Sequence, residues 1–262
     1  MLVTPLECSP VVRYGRTSGT YDGLIGRRAC LEENLDEMER DEGSVARPER
    51  LDGTFVARWI GHVAREIHDN RDFLTQLDAA IGDADHGVNM DRGFSAALAK
   101  VDEDASRSPG ALLEIVGTTL VLSVGGAAGP LYGSAIRQMG RALDVSESFG
   151  AEDLLVSFRA ALDEIQRLGA AQPGDKTIVD ALAPAIDAFE RGLRSGDDLV
   201  TAAGRARAAA EDGMRATVPL QARKGRASYL GPRSVGHQDP GATSTALLFA
   251  ALERTVSEGD TP

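Results

Sequence analysis

From Leu51 to the C-terminus, apolar residues recur at helical spacing, and nearly every run is closed by glycine or opened by proline. "FVARWIGHVAREI" sets Phe55, Trp59, Ile60, Val63 and Ile67 on one face, the i, i+4, i+8 pattern of an amphipathic helix. "DFLTQLDAAI" follows and ends at Gly82; "GFSAALAKV" continues beyond an acidic loop. Ser108-Pro109 opens "GALLEIVGTTLVLSV", with proline in the first turn, and Pro130 opens "PLYGSAIRQMGRAL". "AEDLLVSFRAALDEIQRLG" ends at Gly169, and "TIVDALAPAIDAFERGL" carries Pro184, where a kink is expected. "DDLVTAAGRARAAAEDGMRATV" and "GATSTALLFAALERTV" complete the series. Alternating β-branched runs with hairpin turns are absent, so roughly eight or nine helices and no strand are expected. Short connections imply antiparallel packing of sequential neighbours.

The first fifty residues break this pattern. "RTSGTYDGLIGRR" and "EENLDEMERDEGSVARPER" show neither helical nor strand periodicity. Residues 1–50 are therefore read as a disordered extension, with a docked arm as the alternative, and residues 51–262 as the folded domain. The opening "MLVTPLECSPVVRYGR" lacks a basic start followed by a long apolar block, so no signal peptide is expected. Both cysteines, Cys8 and Cys30, lie in this segment, so disulfides do not hold the domain together and a cytoplasmic location is expected. From Ile115 to Arg137 the only charge is the final arginine, a run of membrane length. "GGAAGP" at its middle reads instead as a loop between two helices, with a buried helix, apolar on all sides, before it.

With 28 Lys and Arg against 40 Asp and Glu, the net charge is −12, which excludes a general nucleic-acid or anionic-membrane surface. Any phosphate must be held locally, against the global field. The stretch "LDAAIGDADHGVNMDRGF" supplies a means. Asp78 falls in the last turn of its helix, Gly82 lets the chain turn, and Asp83 and Asp85 follow two residues apart. Three carboxylates with this reach can bind hard cations through oxygen. An EF-hand is rejected, because Gly87, Val88 and Phe94 occupy positions that need a carboxamide or carboxylate, glycine and glutamate. Zinc is a poor match without a cysteine cluster and with four histidines in the chain. Magnesium with bound phosphate fits best; a solvated acidic loop at a helix N-terminus is the bland alternative.

Three further loops carry unusual residues. In "SVGGAAGPLYG", Gly125, Gly126 and Gly129 permit close backbone approach ahead of a helix N-terminus, or simply a tight helix–helix turn. "GAAQPGDKT" falls short of a P-loop, since Asp175 separates Gly174 from Lys176 and no strand precedes it. There Asp175 is expected to cap the next helix and Lys176 to face a phosphate. "ARKGRASYLGPRSVGHQDPGATS" gathers Arg223, Lys224, Arg226 and Arg233 before His237 and Asp239, at the start of the last helix. Basic side chains beside a helix N-terminus suit a polyphosphate, although a basic run is commonly a solvated face.

Together, "LDAAIGDADHG", "GGAAGPLYG", "PGDKT" with "DAL", and "ARKGRASYLGPRSVGHQDPGATS" closely resemble the nucleotide-binding L subunit of bacterial dihydroxyacetone kinase and the C-terminal domain of the single-chain ATP-dependent kinases. The resemblance begins near Phe55 and runs to the end. It implies an all-α, eight-helix antiparallel barrel that binds ADP or ATP at one rim over two magnesium ions (Mg2+). It implies Asp78, Asp83 and Asp85 as metal ligands, and His86, Gly87, Val88 and Asn89 as the nucleotide-contacting segment after them. Ala127 and Ala128 match the glycine-loop contact, where many relatives carry serine at the second place, so a side-chain phosphate contact is lost and backbone contacts stay. Gly169 and Ile178 match positions around adenine and ribose; Arg226, Asp239, Pro240 and Gly241 complete the set. No residue is assigned as a general base, because positioning and charge neutralisation carry phosphoryl transfer.

The resemblance also implies a partner. The triose is held as a hemiaminal on a histidine of a separate dihydroxyacetone-binding K subunit, so this chain alone has no complete kinase activity. In the phosphotransferase-system version, ADP stays bound and a phosphodonor protein rephosphorylates it; in the ATP-dependent version, nucleotide exchanges. A separate L chain favours the first. A homodimer is compatible with this reading, while nucleic acid and membrane are not among the expected partners. Competing readings are a nucleotide-loaded regulatory protein without turnover, a two-metal phosphohydrolase, and a kinase component for a related sugar or sugar alcohol.

Overall fold

A computed structural model describes residues 50–103, 107–143 and 147–259. The expectation of a disordered extension over residues 1–50 lies outside the described residues except for Arg50, whose Nε donates to Ser148 Oγ at 2.8 Å.

The described chain is all-α. Its elements are β1 (Leu51–Asp52), α1 (Gly53–Asp69), α2 (Arg71–Ile81), α3 (His86–Asp102), α4 (Pro109–Ser123), α5 (Ala128–Ala142), β2 (Ser148–Phe149), α6 (Ala151–Gly169), α7 (Val179–Arg194), α8 (Leu199–Ala216), a 3₁₀ segment (Arg226–Ser234) and α9 (Pro240–Glu258). The expectation of no strand needs a small correction. β1 and β2 form an antiparallel pair with Leu51 opposite Phe149, too short to have left an alternating pattern in the sequence.

Local chemistry sets the helix starts. Asp52 accepts from the N–H groups of Thr54 and Phe55, Asp198 from Thr201, and Asp239 from Ala242, each satisfying a donor that a helix leaves open. Ser108 caps α4 ahead of Pro109, as the sequence implies. α6 ends at Gly169, yet the residue that takes the left-handed conformation is Ala170, with φ 46°. α7 continues through Pro184.

The charge-poor stretch from Ile115 divides into α4 and α5 at the glycine loop. Gly117 and Gly133 stand face to face there: a Cβ on either would strike the other's backbone carbonyl. The two helices therefore pack almost backbone to backbone, which explains their small residues. The expected burial of α4 on all sides does not hold, since Leu122 is 83% exposed at its C-terminal end. No helix among the described residues is long and apolar enough to cross a membrane.

Packing follows chain order. α3 packs on α4, α4 on α5, and so on to α8 on α9; α9 packs on α1 and α1 on α3, which closes a ring of eight helices. Phe158 of α6 joins the interior, with ring centroids 6.2 Å from Trp59, 5.6 Å from Phe189 and 5.6 Å from Phe249. α2 stands apart from this sequence of contacts and packs on α3, α9 and the 3₁₀ segment.

Gly87 belongs to the seam between α2 and α3. A Cβ there would land on the Arg71 carbonyl oxygen and on Thr75. Gly87→Ala is expected to lower stability by about 1–3 kcal/mol through overpacking of this seam. Urea denaturation of the nucleotide-free chain measures it; an unchanged midpoint would contradict the assignment.

Candidate functional site

A cleft of about 560 Å³ opens where the loops after α2, α4 and α6 meet the segment that leads into α9. Its acidic corner is built by α2 and α3. Asp78 is buried, and its Oδ2 accepts from the backbone N–H groups of Asp85 at 2.9 Å and His86 at 3.2 Å. A side chain from one helix thus caps the N-terminus of the next. Gly82 is needed there for a reason the sequence conceals: its Cβ would occupy the place of Asp78 Oδ1. The helix ends at Gly82 as expected, while the left-handed conformation in this loop falls on Ala84, with φ 64°, which sits between the other two carboxylates.

Asp78, Asp83 and Asp85 can each bring one carboxylate oxygen within 4.8 Å of the others. Across the cleft, Arg226 Nη1 reaches Asp83 Oδ2 at 2.6 Å. Three carboxylates against one guanidinium leave two formal negative charges in the cluster, and oxygen-only donors at this spacing suit a hard divalent cation. The helix N-terminus below them offsets part of the repulsion.

His86 lines the cleft and binds inward. Its Nε2 lies 3.0 Å from Ser244 Oγ, and the ring also bonds the Pro240 backbone. Burial pushes its pKa below the usual histidine value, against the pull of Asp78 and Asp85, so the ring is neutral near pH 7. Ser244 in turn meets the buried Tyr132 hydroxyl at 2.8 Å, and burial raises that phenol's pKa. His86 therefore joins α3 to α9 through a polar network. Asn89 is buried beside Gly125; its Oδ1 accepts from Arg92 Nη2 at 2.7 Å while Arg92 Nε donates to Ser123 O at 2.9 Å.

The glycine loop forms a second wall. Gly126 has φ 67°, a conformation that glycine adopts without penalty. Ala127 and Ala128 line the cleft, and no side chain caps the α5 N-terminus that they begin. Backbone N–H groups are the donors this wall can offer an anion. Leu131, Ile165, Leu168, Gly169 and Ile178 make an apolar floor suited to a planar ring system.

The third wall joins the loop after α6 to the segment before α9. The expected capping of α7 by Asp175 is not found: Asp175 accepts from Gln172 N at 3.0 Å, and Asp180 accepts from Gly174 N at 2.6 Å and Thr177 N at 2.8 Å. Asp175 lies before a turn that folds it back, whereas Asp180 lies one helical turn past Thr177. Lys176 is also differently employed. Its Nζ donates to the carbonyl oxygens of Thr217 at 2.9 Å, Leu220 at 3.2 Å and His237, so it is not free to face a phosphate. Asp239 is buried at the α9 N-terminus, and its N–H donates to Thr217 Oγ1 at 3.0 Å.

The structure brings together Asp78, Asp83, Asp85, His86, Asn89, Ala127, Ala128, Gly169, Ile178, Arg226, Asp239, Pro240 and Gly241 around one cleft. Gly87 instead packs in the α2–α3 seam, and Val88 is 48% exposed and does not line the cleft. Of the basic run, Lys224 and Arg226 line the cleft, while Arg223 and Arg233 are exposed and do not. Sequence reasoning missed Leu131, Ile165, Leu168 and Asp180. The three apolar residues continue ordinary helical patterns, so nothing local marks them; the T-x-x-D spacing of Thr177 and Asp180 was a usable signal.

The model of the DAK2 domain matches residues 80–254. The chain is 39% identical over 208 residues to the PEP-dependent dihydroxyacetone kinase, ADP-binding subunit DhaL, of Escherichia coli strain K12, covering 79% of this chain and 99% of that one. It is 40% identical over 204 residues to the PEP-dependent dihydroxyacetone kinase 1, ADP-binding subunit DhaL, of Listeria innocua, covering 78% and 97%. It is 38% identical to the L-erythrulose 1-kinase of Mycolicibacterium smegmatis, covering 70% of this chain and 32% of that protein. The fold is similar to the crystal structure of the dihydroxyacetone kinase of C. freundii, with TM-score 0.60 and 23% identity, over 82% of this chain and 37% of that one.

Burial pushes the Asp239 carboxyl up to about 7 from an ordinary value of 3.8, more than its bond from Ala242 and the nearby Lys176 pull it down. Between those values the folded chain holds a proton that the unfolded chain has released. Stability contributed by Asp239 therefore falls as pH rises from about 4 to about 7 and is level above that window. Asp239→Asn keeps a capping oxygen without the titration. In metal-free and nucleotide-free buffer its stability relative to the wild type is expected to rise across that window, as read by urea midpoints. A pH-independent difference would show that Asp239 is already ionised at low pH.

Proposed function

Because this chain belongs to the DAK2-domain family, we propose that it is the ADP/ATP-binding subunit of a dihydroxyacetone kinase linked to the phosphotransferase system. It presents a nucleotide's phosphates to a triose held on a partner K subunit. The observation that carries the reading is the convergence on one cleft of a three-carboxylate corner, an uncapped helix N-terminus and an apolar floor. The near-complete coverage of the DhaL subunits supports the separate-subunit form.

Asp78, Asp83 and Asp85 are the proposed magnesium ligands, two ions being the proposed number, and oxygen donors of this kind fit that ion. Bound magnesium would neutralise and orient the polyphosphate oxygens. The chain's own residues do the rest. Asp78 cross-links α2 to α3, so the acidic corner is rigid before any ligand arrives. The backbone at Ala127 and Ala128 offers N–H donors, and Arg226 offers an exposed cation paired with Asp83. Leu131, Ile165 and Ile178 exclude water from the base. No side chain is needed as a nucleophile or base, because the acceptor hydroxyl belongs to the substrate on the partner. A phosphodonor protein that recharges bound ADP, and a cytoplasmic location, follow from the same proposal.

A kinase component for a related ketose is a second reading, favoured by the likeness to a protein named as an erythrulose kinase. The partner chooses the acceptor, so this cleft serves either.

The test combines the purified chain, a K-type partner, a phosphate donor and dihydroxyacetone or erythrulose. Phosphorylated ketose is expected only when chain and partner are both present. Phosphate release by the chain alone would favour a phosphohydrolase, and bound nucleotide without transfer would favour a regulatory role. Asp83→Asn and Asp85→Asn are each expected to abolish transfer and weaken magnesium-dependent ADP retention, with helical circular dichroism unchanged. Full activity with normal metal content in either would end the metal assignment. Arg226→Ala is expected to weaken ADP binding by roughly 1.5–3 kcal/mol, the worth of a charge-assisted hydrogen bond, as measured by calorimetry. Unchanged affinity removes Arg226 from the site.

A further inference from the structure

The nucleotide reading leaves one charged group without a task. Lys176 belongs to the cleft wall, yet it is 1% exposed and has φ 63°. Three backbone carbonyls receive it, from Thr217 after α8, Leu220 in the following turn and His237 before α9. Beside it, Arg223 N donates to Asp175 O at 3.0 Å, Gly236 N to Val218 O at 2.8 Å, and Asp239 N to Thr217 Oγ1 at 3.0 Å. Three separate stretches of chain are thus gathered at one cation: the loop with Thr177 and Ile178, the basic segment with Lys224 and Arg226, and the start of α9 with Asp239 and Gly241. All of these residues line the cleft.

Carbonyl oxygens aimed at a common point repel one another, and a positive charge between them relieves that repulsion; the neighbouring hydrogen bonds hold the stretches together but leave these three carbonyls to the ammonium. The ring of helices does not impose the arrangement either, since all three carbonyls belong to residues outside any helix. Burial opposes the charge, pushing the ammonium's pKa below its ordinary value, while Asp239 and Asp180 favour it.

We infer that Lys176 is the positioning residue of this wall, a tethered cation that assembles the Arg226 and Asp239–Gly241 segments into a nucleotide-ready shape. It touches no substrate. The inference rests on the nucleotide reading and deepens it.

The test uses the full chain and magnesium with ADP, followed by calorimetry. Lys176→Met keeps the aliphatic stem and removes the charge; its affinity for MgADP is expected to fall about tenfold or more, as for loss of a charge-assisted hydrogen bond. Without nucleotide, its amide exchange is expected to rise over residues 217–225 and 235–239 and not across α4 and α5. In Lys176→Ala, added n-propylammonium is expected to restore part of the affinity, and 1-propanol, which fills similar space without charge, is not. Wild-type affinity in Lys176→Met, or equal recovery with propanol, overturns the inference. So does global unfolding of both variants, because the role would then be fold-wide. If the wild type itself fails to bind MgADP, the nucleotide reading falls and takes this inference with it; binding by the wild type that Lys176→Met retains refutes this inference alone.

Discussion

The carboxylate of Asp78, buried against the N-terminus of α3, is the contact on which the site depends. α2 does not join the chain-order ring of helices, so something must hold its C-terminal end against that ring. A buried anion on two backbone N–H groups does so with charge-assisted bonds, in a place where the helix dipole favours negative charge. Because Asp78 is pinned, the loop of Asp83 and Asp85 has both of its ends fixed. Three like charges are thereby held together in advance of any cation, and the repulsion between them is the free energy that a bound cation would relieve.

Around this contact the backbone is unusual. The three non-glycine residues with positive φ among the described residues are Ala84, Ala170 and Lys176. Ala84 lies in the loop after α2, and Ala170 and Lys176 both lie in the loop after α6, two of the loops that meet at the cleft. Such conformations cost about 1–3 kcal/mol and persist where surroundings over-determine them. The surroundings are visible here: Asp78 and its two N–H donors brace the first, Asp180 braces the loop between the second and third, and three carbonyls hold the third. Strain is concentrated where loops must present polar atoms inward and withdrawn from the helices that carry them.

The electrostatics have the same division. A chain of net charge −12 repels anions at a distance. Its cleft sets Arg226 opposite Asp83, Lys224 on the rim and an open helix N-terminus below. Specific, short-range attraction thus works inside a field that disfavours indiscriminate binding of phosphate-rich polymers.

Sequence alone was enough for the helices and for the loops that carry the chemistry, because helical periodicity and cap preferences are local properties of neighbouring residues; two starts lie earlier than the sequence pattern places them, since α3 begins at His86 rather than near Gly93 and α5 at Ala128 rather than Pro130. It also singled out Asp78, Asp83 and Asp85 as a crowded set of carboxylates, and the resemblance added roles for Arg226 and Asp239. Other roles could not be read this way. Gly82 and Gly87 look alike in sequence, yet one makes room for a carboxylate and the other for a neighbouring helix. Lys176 looks like a phosphate ligand and is spent on three distant carbonyls, while Asp175 and Asp180 differ only in which way a turn sends them. Leu131, Ile165 and Leu168 become a floor only when three loops are stacked above them. Local propensity determined which segments fold and which stay open. Tertiary packing decided which polar groups are already used within the protein and which remain for a ligand, since that depends on partners far away in the chain.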